Sequence, residues 1–162
     1  MCSSDLLKVT AITAKETVEL VVAAMVINVN DVDLFSVFCH FIYHIFFHQE
    51  FAAKAYSTLP CLLYGYKLHT SKRRAVLKAL QTIVCKAYDK SYITEIIRIC
   101  ESHLEDELLS SLACNILYNI QLVAAPQDIS SSVFQNEKYV AYVERNGKYY
   151  FDDNHQIGRA HV

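Results

Sequence analysis

The sequence predicts a mostly α-helical chain that ends in a β-hairpin. Only three glycines and two prolines occur in 162 residues, which favours helices over a turn-rich all-β fold. In residues 13–25 and again in 72–120, apolar side chains recur at steps of three and four residues, the period of an amphipathic helix. Beyond residue 138 the period changes, and two tyrosine-rich stretches flank Asn146 and Gly147, a pair typical of a tight hairpin turn.

Composition limits the class of protein. Hydrophobic residues make up 53% of the chain, which is enough for a core and argues against disorder. The net charge of −2 gives no electrostatic reason to expect nucleic-acid binding. The apolar run 34–47 is too short and too polar for a membrane span.

The six cysteines form no CxxC pair, so we expect no zinc site and no cofactor. We interpret the internal cysteines as small buried thiols rather than disulfides. Free thiols persist in reducing compartments, and we therefore expect an intracellular, cytoplasmic protein.

Thr13 and Glu16 fit a capping box that begins the first helix. Residues 26–49 then interrupt the helical period and leave three interpretations open: a buried helix, a pair of strands, or an unspliced intron. The intron is considered because removing 26–49 joins the stripe that ends at Met25 to Ala52 and Tyr56 in helical register. If the intron is real, the source is eukaryotic.

Three further helices are predicted, at about 72–88, 93–100 and 104–120, the first capped by Ser71 and the last by a capping box at Ser102 and Glu105. Such helices, joined by short turns, lie antiparallel and bury their stripes together. We expect one contiguous cluster of their apolar side chains: Leu77, Leu80, Val84, Ile96, Ile97, Leu109, Leu112, Ile116 and Leu117.

Residues 71–120 resemble one unit of a HEAT- or armadillo-type solenoid, in which each helical unit buries its faces against the next. The resemblance is one of architecture, since no repeated sequence signature accompanies it. An ordinary helical bundle therefore stays open as the alternative.

Residues 124–136, with Pro126, Asp128 and three consecutive serines, are interpreted as a linker before the hairpin at 137–155. The hairpin sequence, from Tyr139 to Asp153, resembles the histidine box of ubiquitin-specific proteases. That family places a histidine base before the first strand, whereas this chain has Lys138. The resemblance implies a relative that lacks the catalytic histidine.

The two ends of the chain, 1–6 and 156–162, resemble a translated short-read sequencing adapter. Residues 156–162 can be encoded by a DNA string whose reverse complement encodes residues 2–6. We expect both ends to be adapter-derived scars on a fragment whose helical region is 7–123, and we expect neither end to contact the core.

The candidate binding residues are few. Lys72, Arg73 and Arg74 form a basic cluster at a helix start, which either binds an acidic protein partner or is simply a solvated first turn. The histidines at positions 40, 44 and 48 share one helical face; we expect coincidence there rather than a metal site.

No catalytic residue is predicted. The sequence thus favours a fragment of an intracellular helical-repeat scaffold that binds proteins and performs no chemistry itself. The alternative is the C-terminal piece of a ubiquitin-specific-protease-like domain without its catalytic histidine.

Overall fold

The structure, a computed structural model, describes residue 16 and residues 19–45, 56–86 and 90–153. Within these residues the chain is mostly helical and has no β-strand, so the helical part of the predicted fold class is confirmed. The chain divides into two compact units, Met1–Asp89 and Lys90–Val162, here called unit 1 and unit 2. No helix in the described part is long and apolar enough to span a membrane.

Several sequence predictions fall outside these residues. The adapter-like ends 1–6 and 156–162, Thr13 of the first capping box, His48 and positions 46–49 all lie beyond the described ranges. The hypotheses that concern their origin stay predictions.

The described residues of unit 1 form four α-helices, with a 3₁₀ turn before the third and another before the fourth. The turns are Tyr56–Thr58 and Thr70–Lys72. The helices are α1 (19–27), α2 (Val32–Ile45), α3 (Leu59–Leu68) and α4 (Arg73–Lys86).

The core of unit 1 forms where α2 and α3 pack against α4. On α2 the buried residues Phe35, Cys39 and Ile42 follow helical spacing, so residues 32–45 form a buried helix rather than a pair of strands. The intron hypothesis for 26–49 stays a prediction. The facing residues of α4 are likewise fully enclosed, as the periodicity predicts: Val76, Leu77, Leu80, Ile83 and Val84.

Helix α3 approaches α2 closely because residue 65 is a glycine. A Cβ atom added at Gly65 would lie 2.0 Å from Cζ of Phe35, well inside van der Waals contact. Pro60 stands in the first turn of α3, where its missing N–H costs no hydrogen bond. The Leu59-Pro60 step therefore begins a helix rather than ending one.

In unit 2, residues 90–153 form three α-helices, with two 3₁₀ turns between the second and the third. The turns are Pro126–Asp128 and Ser132–Gln135, within the predicted linker. The helices are α5 (Lys90–Ser102), α6 (Ser110–Val123) and α7 (Glu137–Asp153). Helix α6 contacts both α5 and α7, and its buried residues are Ala113, Cys114, Ile116, Leu117 and Ile120.

The predicted capping box at Ser102 and Glu105 is wrong. Ser102 ends α5, and its hydroxyl donates to the carbonyl of Ile99 at 2.6 Å. The next helix begins at Ser110, after turns in which the Asp106 carboxylate accepts the backbone N–H of Leu108 at 3.0 Å. Glu105 instead pairs with Lys138, and the later helix start changes which side chains of α6 are enclosed.

The predicted hydrophobic cluster is correct only in part. Of its members in unit 1, Leu77, Leu80 and Val84 are buried. In unit 2 the residues of α5 and the middle of α6 are buried, whereas Leu109 and Leu112 are half-exposed. Because α6 starts at Ser110, Leu109 lies before the helix and Leu112 lies in its first turn, ahead of the buried residues that begin at Ala113.

The predicted C-terminal β-hairpin is wrong, because Glu137–Asp153 is an α-helix that passes through Asn146 and Gly147. The helix starts where the Asn136 side chain accepts the backbone N–H of Lys138 at 2.9 Å. An asparagine in this place satisfies an N–H that a helix start otherwise leaves without a partner.

Packing of two tyrosines explains why the helix prevails. Tyr139 is buried, meets the ring of Phe134 edge-on at 5.5 Å, and donates its hydroxyl to Gln121. One turn later the Tyr142 hydroxyl accepts from the amide of Asn115 at 3.0 Å. Both tyrosines face α6 only in a helix, so tertiary contacts outweigh the turn propensity of the Asn-Gly pair.

Candidate partner-binding surface

The three residues of the predicted basic cluster lie in different surroundings, and their binding of an acidic partner stays a prediction. Lys72 ends a 3₁₀ turn and Arg73 begins α4. The Arg73 guanidinium lies over the ring of Tyr66, 4.4 Å from its centre, and its Nε donates to the Tyr66 carbonyl at 3.2 Å. Arg73 therefore joins α4 to α3, and among the three only Arg74 is fully exposed.

His40 and His44 lie one turn apart on the exposed side of α2. The His44 ring meets that of its neighbour Tyr43 edge-on, with 5.1 Å between ring centres. Over the described ranges, no group of three or more histidine, cysteine or acidic side chains is placed to hold a metal ion.

Four cysteines whose side chains the structure describes are free and buried: Cys39, Cys61, Cys100 and Cys114. Burial raises the pKa of the Cys39 thiol to about 12, with the nearby Cys61 adding to the shift. Burial also raises the thiol pKa of Cys100, again with a smaller contribution from a neighbour, Cys114. A nucleophilic cysteine needs a lowered pKa, so these thiols serve packing rather than catalysis.

Helix α1 carries an apolar surface on the side that the fold leaves open. Residues 20–27 are apolar without interruption, and Met25 faces the core at 1% exposure. On the opposite side Leu20 is 71% exposed and Ile27 is 78% exposed, with Val26 beside them at 56%. We call these three residues the outer face of α1.

The inner side of α1 and the loop after it are fixed to the rest of unit 1. The carbonyl of Met25 accepts a hydrogen bond from the Cys61 thiol at 3.7 Å. In the loop after α1, the carbonyl of Val29 accepts a 2.7 Å hydrogen bond from Nε2 of the buried His69 ring. These contacts hold the helix in place, so the outer face is presented by a supported element.

The outer face of α1 was missed by sequence reasoning, which followed only the stripe ending at Met25. The available signal was the absence of any polar residue between 20 and 27. A helix that is apolar on every side is normally covered on every side.

Comparison with known proteins supplies no relative: no protein-family model, curated protein or solved structure matches this chain. The candidate surface therefore rests on its own geometry.

Proposed function

We propose that this chain is a section of an intracellular helical-repeat scaffold that binds another helical unit through the outer face of α1. The observation that carries the proposal is that Leu20 and Ile27 lie exposed on α1, in a stretch of eight residues, 20–27, that contains no polar side chain. Contiguous exposed apolar surface of this kind marks an interaction site. The intracellular location is supported by the free, buried thiols, which suit a reducing compartment.

The size of the outer face indicates what kind of occupant fits it. Complete burial of its three side chains, scaled by their present exposure, is worth about 3–6 kcal/mol. Association of a separate molecule costs about 4–15 kcal/mol in lost freedom. A free partner held by this face alone would bind weakly, whereas a unit within the same polypeptide has a high effective concentration and avoids most of that cost.

A neighbouring amphipathic helical unit is thus the occupant that the energetics favour. This is the arrangement of solenoid proteins, in which each unit covers the face of the next. The alternative from the sequence, a protease-like domain, depended on a hairpin that is not found. Lys138, which stands where the family has its histidine, pairs with Glu105 at 2.5 Å on the surface of unit 2.

A tandem protein tests the proposal, with two copies of the full chain joined by a flexible Gly/Ser linker. We expect the second copy to raise the free energy of unfolding of unit 1 by roughly 1–3 kcal/mol, the burial that remains after ordering costs. Urea denaturation of the tandem and of the single chain provides the measurement.

Substitution of Leu20→Glu together with Ile27→Glu should abolish the gain in the tandem and leave the single chain unchanged, because both residues are exposed there. The control is Leu108→Glu, at a residue that is 77% exposed but lies in unit 2. A tandem no more stable than the single chain would refute the proposal, as would a gain that survives the double substitution.

A further inference from the structure

A cleft of about 260 Å³ lies in unit 2 between α5 and the segment that follows α6. One wall is a face of α5 with side chains at helical spacing, and the other is the segment from Asp128 to Ser131. The polar residues of these walls are Thr94, Arg98, Glu101, Asp128, Ser130 and Ser131.

The second wall is fixed by its own contacts. Asp128 forms an ion pair with Lys90 at 3.6 Å, which joins the segment to the start of α5. The Ser131 hydroxyl accepts the backbone N–H of Val133 at 3.3 Å, and the Val133 side chain is buried. The cleft is therefore a built feature of unit 2 and does not depend on a loose loop.

Two charges in the cleft have no partner among the residues that the structure describes. Arg98 and Glu101 are three positions apart on α5, yet within the described part of the chain neither forms an ion pair with the other or with a neighbour. Asp128, in contrast, is already paired. Among the described residues the cleft thus offers one unpaired cation and one unpaired anion, and a ligand that satisfies both carries one charge of each sign.

The size and the lining of the cleft exclude a larger ligand. Pockets for drug-sized molecules and cofactors have volumes of about 300–1,000 Å³ and mostly apolar walls. This cleft is smaller, and its apolar contribution is Ile97, which is 6% exposed. Its space is sufficient for one or two polar side chains.

We propose that this cleft binds an extended peptide segment with an acidic and a basic side chain two positions apart, the acid on Arg98 and the base on Glu101. Alternate side chains of an extended chain lie on the same side, about 6.6–6.8 Å apart along the strand. Residues three apart on a helix have Cβ atoms about 5–6 Å apart, which is about 1 Å less, and the long side chains of arginine and glutamate can span this difference. The inference goes beyond the proposed scaffold function, because it concerns another unit and another partner.

The experiment titrates the full-length, ¹⁵N-labelled chain with the blocked peptide acetyl-Gly-Glu-Gly-Lys-Gly-amide and follows amide shifts by NMR. We expect saturable changes confined to the two walls of the cleft. The Arg98→Gln and Glu101→Gln variants should each bind about tenfold more weakly, since each loses a charge-assisted hydrogen bond. The matched controls outside the cleft, Arg145→Gln and Glu107→Gln, should bind as the wild type does.

Several results would overturn the assignment. One is an equal response to the analogue with glutamine in place of both charged residues, and another is binding that Arg98→Gln leaves unchanged. Identical shifts with free glutamate and free lysine would identify an amino-acid site instead of a peptide site. The outer face of α1 takes no part in the titration, so failure here leaves the tandem experiment, and the proposed function, standing independently.

Discussion

Replacing Gly65 by alanine tests the closest approach between helices in unit 1. A helix-interior glycine is normally destabilising by about 1 kcal/mol relative to alanine, so the change alone would stabilise α3. Here the new methyl group would lie 2.0, 2.2 and 2.7 Å from three carbon atoms of the Phe35 ring, which is 0% exposed.

Normal contact between carbon atoms is about 3.5–4.0 Å, so the ring would have to move by more than an ångström. The ring also contacts His69, with 5.1 Å between ring centres, and has no free space on that side. Overpacking of this kind costs roughly 1–3 kcal/mol, and strain at the upper end of that range outweighs the gain in helix propensity. We therefore expect a net loss of about 1–2 kcal/mol in unit 1.

Hydrogen exchange of the amides of α2, α3 and α4 measures this loss locally, which suits a chain with two units. In a Phe35→Leu background the ring is gone, and the same glycine substitution should now stabilise. A matched control, Ser111→Ala on the exposed side of α6, should leave exchange in unit 1 unchanged. If Gly65→Ala stabilised the protein with Phe35 present, the packing of α3 on α2 would be refuted.

Three further predictions concern stability and are measured by urea denaturation. Leu117→Ala should cost about 2–5 kcal/mol because this side chain is fully buried, whereas Leu112→Ala, at a half-exposed position, should cost about 1 kcal/mol. Arg73→Ala should lower the free energy of unfolding by about 1 kcal/mol, because the contacts with the Tyr66 ring and carbonyl are lost. Arg74→Ala, at an exposed position, should change it by no more than about 0.5 kcal/mol. Burial raises the pKa of Cys39 from 9.0 to about 12, so above pH 9 the unfolded chain loses the thiol proton that the folded chain keeps. The contribution of this thiol to the free energy of unfolding should therefore be full below pH 9 and fall as the pH rises towards 12, and Cys39→Ala should lessen that fall.

Each of these has an outcome that contradicts it. Equal losses at the two leucines would place Leu112 in the core and restore the earlier helix start. Equal losses at the two arginines would mean that the contact with Tyr66 contributes nothing. An alkaline fall that is identical with and without the Cys39 thiol would assign the pH dependence to other groups.

The helices of the core were predictable because their signal is repeated many times. In α4, five buried residues at helical spacing agree with one another, and a single period explains them all. The start of α6 was not predictable in the same way. Ser102 and Glu105 form an acceptable capping box, and only the actual hydrogen bonds of Ser102 and Asp106 show that the chain caps elsewhere.

The candidate surface was only half visible in the sequence. The uninterrupted apolar run at 20–27 is plain in the printed chain, but which of its sides faces water depends on where Met25 packs. In the basic cluster only the structure shows that Arg73 packs on the Tyr66 ring whereas Arg74 is exposed.

The sequence by itself determined that the chain is helical, which residues of α4 are enclosed, and that its cysteines are apolar-face thiols. These properties follow from local periodicity, which each segment carries alone. Only the tertiary structure decided the form of the last segment, because its run of apolar residues from 139 to 143 fits a strand and a helix equally well. The contacts of Tyr139 and Tyr142 with α6 can be made only from one helical face, and those contacts select the helix.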